Sequence, residues 1–180
     1  MRRFSAAAVC GAAWLVGAQA AAADAVTTHT FLAGLNETGA LTNMHGTVER
    51  FDCGESAKDA ARTACVGNVK FGSFGISVIV KTGRQSDDVT YAGAMMASPA
   101  MAPDDMKPSM AGTFLVMAAR LMATFSSEVP QAKRAAALEK LMKGLNNDTN
   151  EIRLGKWVYG AGNGIALAFS VERADDRQLW

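Results

Sequence analysis

Chemistry in this chain would have to come from few residues. Beyond the first 23 positions there are two histidines, His29 and His45, and two cysteines, Cys53 and Cys65. His29 lies close to the expected new N-terminus, where chains are usually mobile, so a Ser-His-Asp arrangement would have to recruit His45. The run Gly72, Ser73, Phe74, Gly75 is not a nucleophile elbow. Its serine follows the first glycine directly, and no strand-to-helix transition surrounds it. The carboxylate pairs Asp87–Asp88, Asp104–Asp105 and Asp175–Asp176 are sequence neighbours whose side chains diverge, so they read as solvated turn residues rather than acid/base couples. Gly160, Gly162 and Gly164 precede an apolar alternation of strand type, not a helix, so they read as a hairpin turn and not as a phosphate loop. None of these patterns asks for a cofactor, and the balance leans away from an enzyme. A hydrolase with a site dispersed along the chain is retained as one alternative.

The methionines stand out. Met95, Met96, Met101, Met106 and Met110 fall within one short stretch that also holds Pro99, Pro103 and Pro108. Thioethers are soft ligands that select Cu(I), so Met101 and Met106 with His45 form an alternative metal site. Clustered methionine more often makes an adaptable apolar surface, and Met95, Met96, Met101 and Met106 are read first as contacts for a partner or an apolar ligand. Arg153, Trp157 and Tyr159, taken as one face of a continuous strand 151–159, are expected to line a groove beside them.

The N-terminus has the form of an export signal. Arg2 and Arg3 precede an apolar stretch from Ala6 to Val16, and small residues at Ala18, Ala20, Ala21 and Ala23 suit signal peptidase. The apolar stretch is shorter than the roughly 20 residues a membrane-spanning helix needs. A cleavable signal peptide over 1–23 and a single α+β domain over 24–180, soluble and periplasmic or secreted, are expected. The envelope of a Gram-negative bacterium is the setting that fits. Removing residues 1–23 leaves 16 basic and 17 acidic residues, a near balance that excludes an electrostatic nucleic-acid binder. No later stretch is apolar enough for a span. In an oxidising compartment Cys53 and Cys65 should bond, closing a loop of about 13 residues and contributing roughly 3 kcal/mol.

Periodicity supplies the elements. Helices are expected over 28–38, with Thr28 as cap, over 108–126 with a wide apolar stripe from Met110 to Phe125, and over 130–143 with Gly144 as a left-handed C-cap. Strands are expected over 47–53, 69–81, 89–96, 151–159 and 165–172, with a polar helical turn or loop over 55–64. Strands interrupted by a helix pair predict a two-layer α+β sandwich: an antiparallel sheet of about five strands with the helices on one face. Ile165, Leu167, Phe169 and Val171 are expected to face the helices. Ala166, Ala168 and Ser170 should leave a shallow concave surface on the other side. The expectation for the whole chain is a non-enzymatic binding protein whose partner is an unidentified protein or apolar ligand in the envelope.

Overall fold

The computed structural model describes residues 25–36, 46–57, 59–71, 74–84, 86–145 and 150–177. The expected signal peptide and His45 lie outside the described residues. In chain order the elements are α1 (Thr28–Asn36), β1 (Gly46–Ser56), β2 (Asp59–Phe71), β3 (Phe74–Thr82), β4 (Val89–Ala97), a 3₁₀ turn (Pro99–Met101), α2 (Lys107–Phe125), α3 (Gln131–Lys143), β5 (Glu151–Leu154), β6 (Trp157–Asn163) and β7 (Ala166–Arg173). The strands form one antiparallel sheet in the order β1-β2-β3-β4-β7-β6-β5. The class is α+β, and the strand count is seven rather than five.

The count rises from five to seven because the expected strands 69–81 and 151–159 are each split in two, and residues 55–64 also depart from the helical turn or loop expected of them. Residues 55–64 are rich in alanine and charge, which favours helix locally. They instead close the β1–β2 hairpin, in which Cys53 faces Cys65 directly and the two form a disulfide. Tertiary pairing overrides propensity here. The expected strand 69–81 is divided likewise: Phe71 pairs with Phe74, so its residues fall in two antiparallel strands, β2 and β3. The other divided strand is 151–159. Gly155 adopts φ +58°, a conformation open to glycine, and with Lys156 reverses the chain between Leu154 and Trp157. Alternation restarts at that turn, so Ile152 and Leu154 share a face with Tyr159 and Trp157.

Helix α1 is capped reciprocally. Thr27 Oγ1 accepts from the Thr30 amide, and Thr30 Oγ1 accepts from the Thr27 amide, so the cap is Thr27 and not Thr28. At the end of α3, Gly144 has φ −94°, which corrects the expected left-handed cap; its amide bonds the carbonyls of Lys140 and Leu141 instead.

The helices pack on one face of the sheet. Phe31 of α1, Phe125 of α2 and Trp157 of β6 make a ring chain, with centroids 5.9 Å and 4.7 Å apart. Met110, Phe114, Met117 and Leu121 of α2 meet Ile76, Val78 and Val80 of β3, Ala92, Ala94 and Met96 of β4, and Leu167, Phe169 and Val171 of β7 in one core. Alanines on β4 leave room for the large α2 side chains, which keeps helix and sheet in close contact. Helix α2 has the length and composition to cross a membrane, and one of its faces, with Met110, Phe114, Met117, Leu121 and Phe125, is buried in this core.

Candidate binding surface

The methionine-rich stretch lies at one end of the sheet. Successive strand residues point to opposite faces, so Met96 enters the core at 4% exposure while Met95 stands on the uncovered face at 49%. Ala97 pairs with Ala166, which sets the turn at Gly164–Ile165 beside the chain leaving β4. Ser98, fully buried, secures that exit. Its hydroxyl donates to Asn163 Oδ1 at 3.1 Å and accepts from the Ala100 amide, opening the 3₁₀ turn. The turn then carries Met101 into solvent at 75% exposure, and Met106 follows at 39% at the head of α2. Ile165, expected in the core row, instead occupies the hairpin turn at 89% exposure, one residue before β7 begins. Met95, Met101, Met106 and Ile165 thus leave a largely apolar tip, flanked by the exposed Asp104, whose carboxylate pairs with Lys107.

Three expected contact residues are elsewhere. Trp157 and Tyr159 are buried at 1% and 0% under the helices, because the reversal at Gly155 turns them to the core face. Tyr159 Oη lies 2.7 Å from Ser126 Oγ, and burial pushes its phenol well above the ordinary value. Trp157 Nε1 is the one buried side-chain nitrogen or oxygen without a hydrogen bond among the described residues. Arg153 is exposed on the opposite face, paired with Val158, and its Nε donates to the Gly155 carbonyl. Thioethers of Met95, Met101 and Met106 reach solvent, whereas Met96 does not. Among the described residues no group of three or more His, Cys, Asp or Glu is placed to hold a metal ion.

The uncovered sheet face is floored by small residues: Gly93 on β4, Ala168 and Ser170 on β7, and Gly160 on β6 are register neighbours. Tyr91 lies along its own strand over Gly93, where an added Cβ would sit 2.9 Å from its hydroxyl. Lys81 Nζ stands 5.0 Å above the Tyr91 ring, and Glu172 is directly across from Tyr91. Burial raises the Glu172 carboxyl above its ordinary value.

The opposite end of the sheet contains a feature the sequence did not announce. Glu55 faces Thr63 but the next residue, Ser56, faces Asp59, so Ala60, Ala61 and Arg62 bulge from β2. Arg62 turns inward and meets Asp176 through two nitrogens, at 2.5 Å and 2.8 Å. Both side chains are buried, at 3% and 7% exposure. Arg62 also donates to Thr90 Oγ1 and Asp59 Oδ2, and Arg84 holds Asp59 from outside. Asp176, read from sequence as a solvated turn residue, is a buried anchor. The Arg62 guanidinium keeps its carboxyl below the ordinary value. No short-range signal announces this partner 114 positions away.

No family model matches this chain, and neither the curated proteins nor the solved structures contain a significant match. The fold and its surfaces define an α+β protein with an open sheet face and an apolar tip; its chemistry rests on its own residues.

Proposed function

We propose that this chain is an exported, non-enzymatic binding protein of the cell envelope that grips its partner through the apolar tip. The observation that carries the reading is the exposure of Met101 and Ile165, large apolar side chains placed in solvent by adjacent turns. Water-facing residues of this kind, gathered at one end, suit an adaptable contact surface. The Cys53–Cys65 disulfide fits an oxidising compartment. The sequence of residues 1–23 supplies the route of export.

The test is partner capture from envelope extract by the native chain and by the double variant Met101→Ser, Ile165→Ser. A specific partner held by the native chain and lost by the variant supports the reading; equal capture by both overturns it. Cu(I) retention is the second reading, favoured by the solvent-accessible thioethers of Met101 and Met106. Met101→Leu with Met106→Leu keeps the surface apolar but removes the sulfur. It abolishes Cu(I) retention on the metal reading and leaves partner capture nearly intact on the first.

A further inference from the structure

A second surface, independent of the tip, lies between α2 and α3. The two helices border an open groove of about 420 Å³, within the size range of small-molecule sites. Its walls are apolar: Leu115, Ala119 and Ala123 from α2, and Ala135 and Leu138 from α3. Leu115 is 43% exposed there. None of the lining residues is acidic, and two, Arg120 and Arg134, carry positive charge.

Arg134 is held in an unusual way. Its Nη1 reaches the carbonyls of Ser126, Ser127 and Val129, at 3.0, 3.3 and 2.6 Å. These close the turn after α2, so one nitrogen satisfies carbonyl groups at a helix C-terminus, a place that favours a cation. That role occupies Nη1 alone. Among the described residues, Nε and Nη2 donate no hydrogen bond, and no carboxylate pairs with the guanidinium. The Nε–Nη2 edge is the one that grips a carboxylate with two parallel hydrogen bonds. A guanidinium fixed by backbone groups, half-buried beside an apolar groove and with that edge unused, is prepared for an anion attached to an apolar chain.

We propose that the α2–α3 groove binds a single-chain anionic amphiphile of the fatty-acid class, its chain against Leu115, Ala119 and Leu138 and its carboxylate on the Nε–Nη2 edge of Arg134. The Arg134 charge selects against a cationic amphiphile, and a neutral chain leaves the guanidinium edge unpaired. The groove holds one such chain.

Calorimetric titration of the purified chain with dodecanoate, below its micelle concentration, and with dodecanol tests this. The expected result is one dodecanoate per chain, with dodecanol at least tenfold weaker. Arg134→Gln should reduce dodecanoate affinity to the dodecanol level. Because Arg134 also caps α2, Ala119→Trp provides a check that leaves the cap intact: it fills the groove from an exposed position and should abolish binding of both. Met101→Ser with Ile165→Ser should leave dodecanoate binding unchanged, which separates this site from the tip. Absence of dodecanoate binding, equal affinity for dodecanoate and dodecanol, or full binding by Ala119→Trp each overturns the proposal. So does binding confined to anionic phospholipid vesicles, which would assign the face to a membrane surface.

Discussion

The two ends of the sheet are built on opposite chemistry. Where β4 enters, Arg62, Asp176 and Thr90 are drawn together out of water with the half-buried Asp59 at their edge, and the C-terminal residues after β7 are pinned to β2. Where β4 leaves, Met101 and Ile165 are pushed into water by turns that a hydrogen bond from the buried Ser98 to Asn163 holds in place. Polar groups are buried at one end and apolar groups are exposed at the other, the reverse of what each prefers alone. The lesson is that cost identifies role. The buried ion pair has found partners for its charges, so its job is complete within the fold. The exposed side chains at the tip have no such compensation within the fold, and the proposed partner contact rests on that difference.

The sharpest way to break the contrast is Asp176→Ala. It leaves Arg62 buried without its main counter-charge, and should cost about 3–5 kcal/mol in denaturant unfolding. Replacing the pair together, Arg62→Met with Asp176→Leu, should recover most of that loss, since an apolar pair of similar volume carries no desolvation penalty. The same pair sets an acid limit. The Asp176 carboxyl is lowered in the fold by Arg62, so its contribution is fully present above the ordinary aspartate value of 3.8 and is lost as pH falls below it through the folded value. Unfolding followed against pH should show a decline in that acidic range that is smaller in the Met/Leu variant, where Arg84 still lowers the Asp59 carboxyl and Lys143 that of Glu139. Glu172, raised by burial, acts in the opposite sense, opposing the folded state once it ionises.

Next in size is the disulfide, also at the charged end. Cys53→Ala with Cys65→Ala should cost about 3 kcal/mol through the freed unfolded chain, read as a lower denaturant midpoint. Gly155→Ala should cost about 1–2 kcal/mol, because alanine is strained at φ +58° and its Cβ would stand 3.2 Å from Glu128 Oε1. The smallest effect is expected at the tip: Met101→Ser with Ile165→Ser should change stability by less than about 0.5 kcal/mol. A large loss there would show that the tip belongs to the core after all and would erase the contrast.

Elements with strong local signals were legible. The stripe of α2, the loop prolines, the alternation of β7 and the cysteine pair all declared themselves within a few residues, because periodicity and covalent pairing are local properties. The tip was legible as a methionine-rich stretch, but which methionines reach solvent was not. Met95 and Met96 are neighbours with opposite fates, decided by the register of β4 against β7. Arg134 reads from sequence only as an outward-facing residue of the helix, since nothing in a helical lysine–arginine pair reveals that one guanidinium nitrogen will be taken by the preceding turn.

The sequence by itself determined the class of fold, the helix pair, the closing disulfide and the apolar character of residues 95–110, since each follows from residue type and spacing along a short stretch. Only the tertiary structure decided that 55–64 is hairpin, that Trp157 and Tyr159 face the core, that Asp176 is buried against Arg62 and that Ile165 is exposed. Those outcomes depend on strand register and on contacts between distant residues. A one-residue change in pairing reverses a side chain's face, and chain entropy allows many pairings until the packed core selects one.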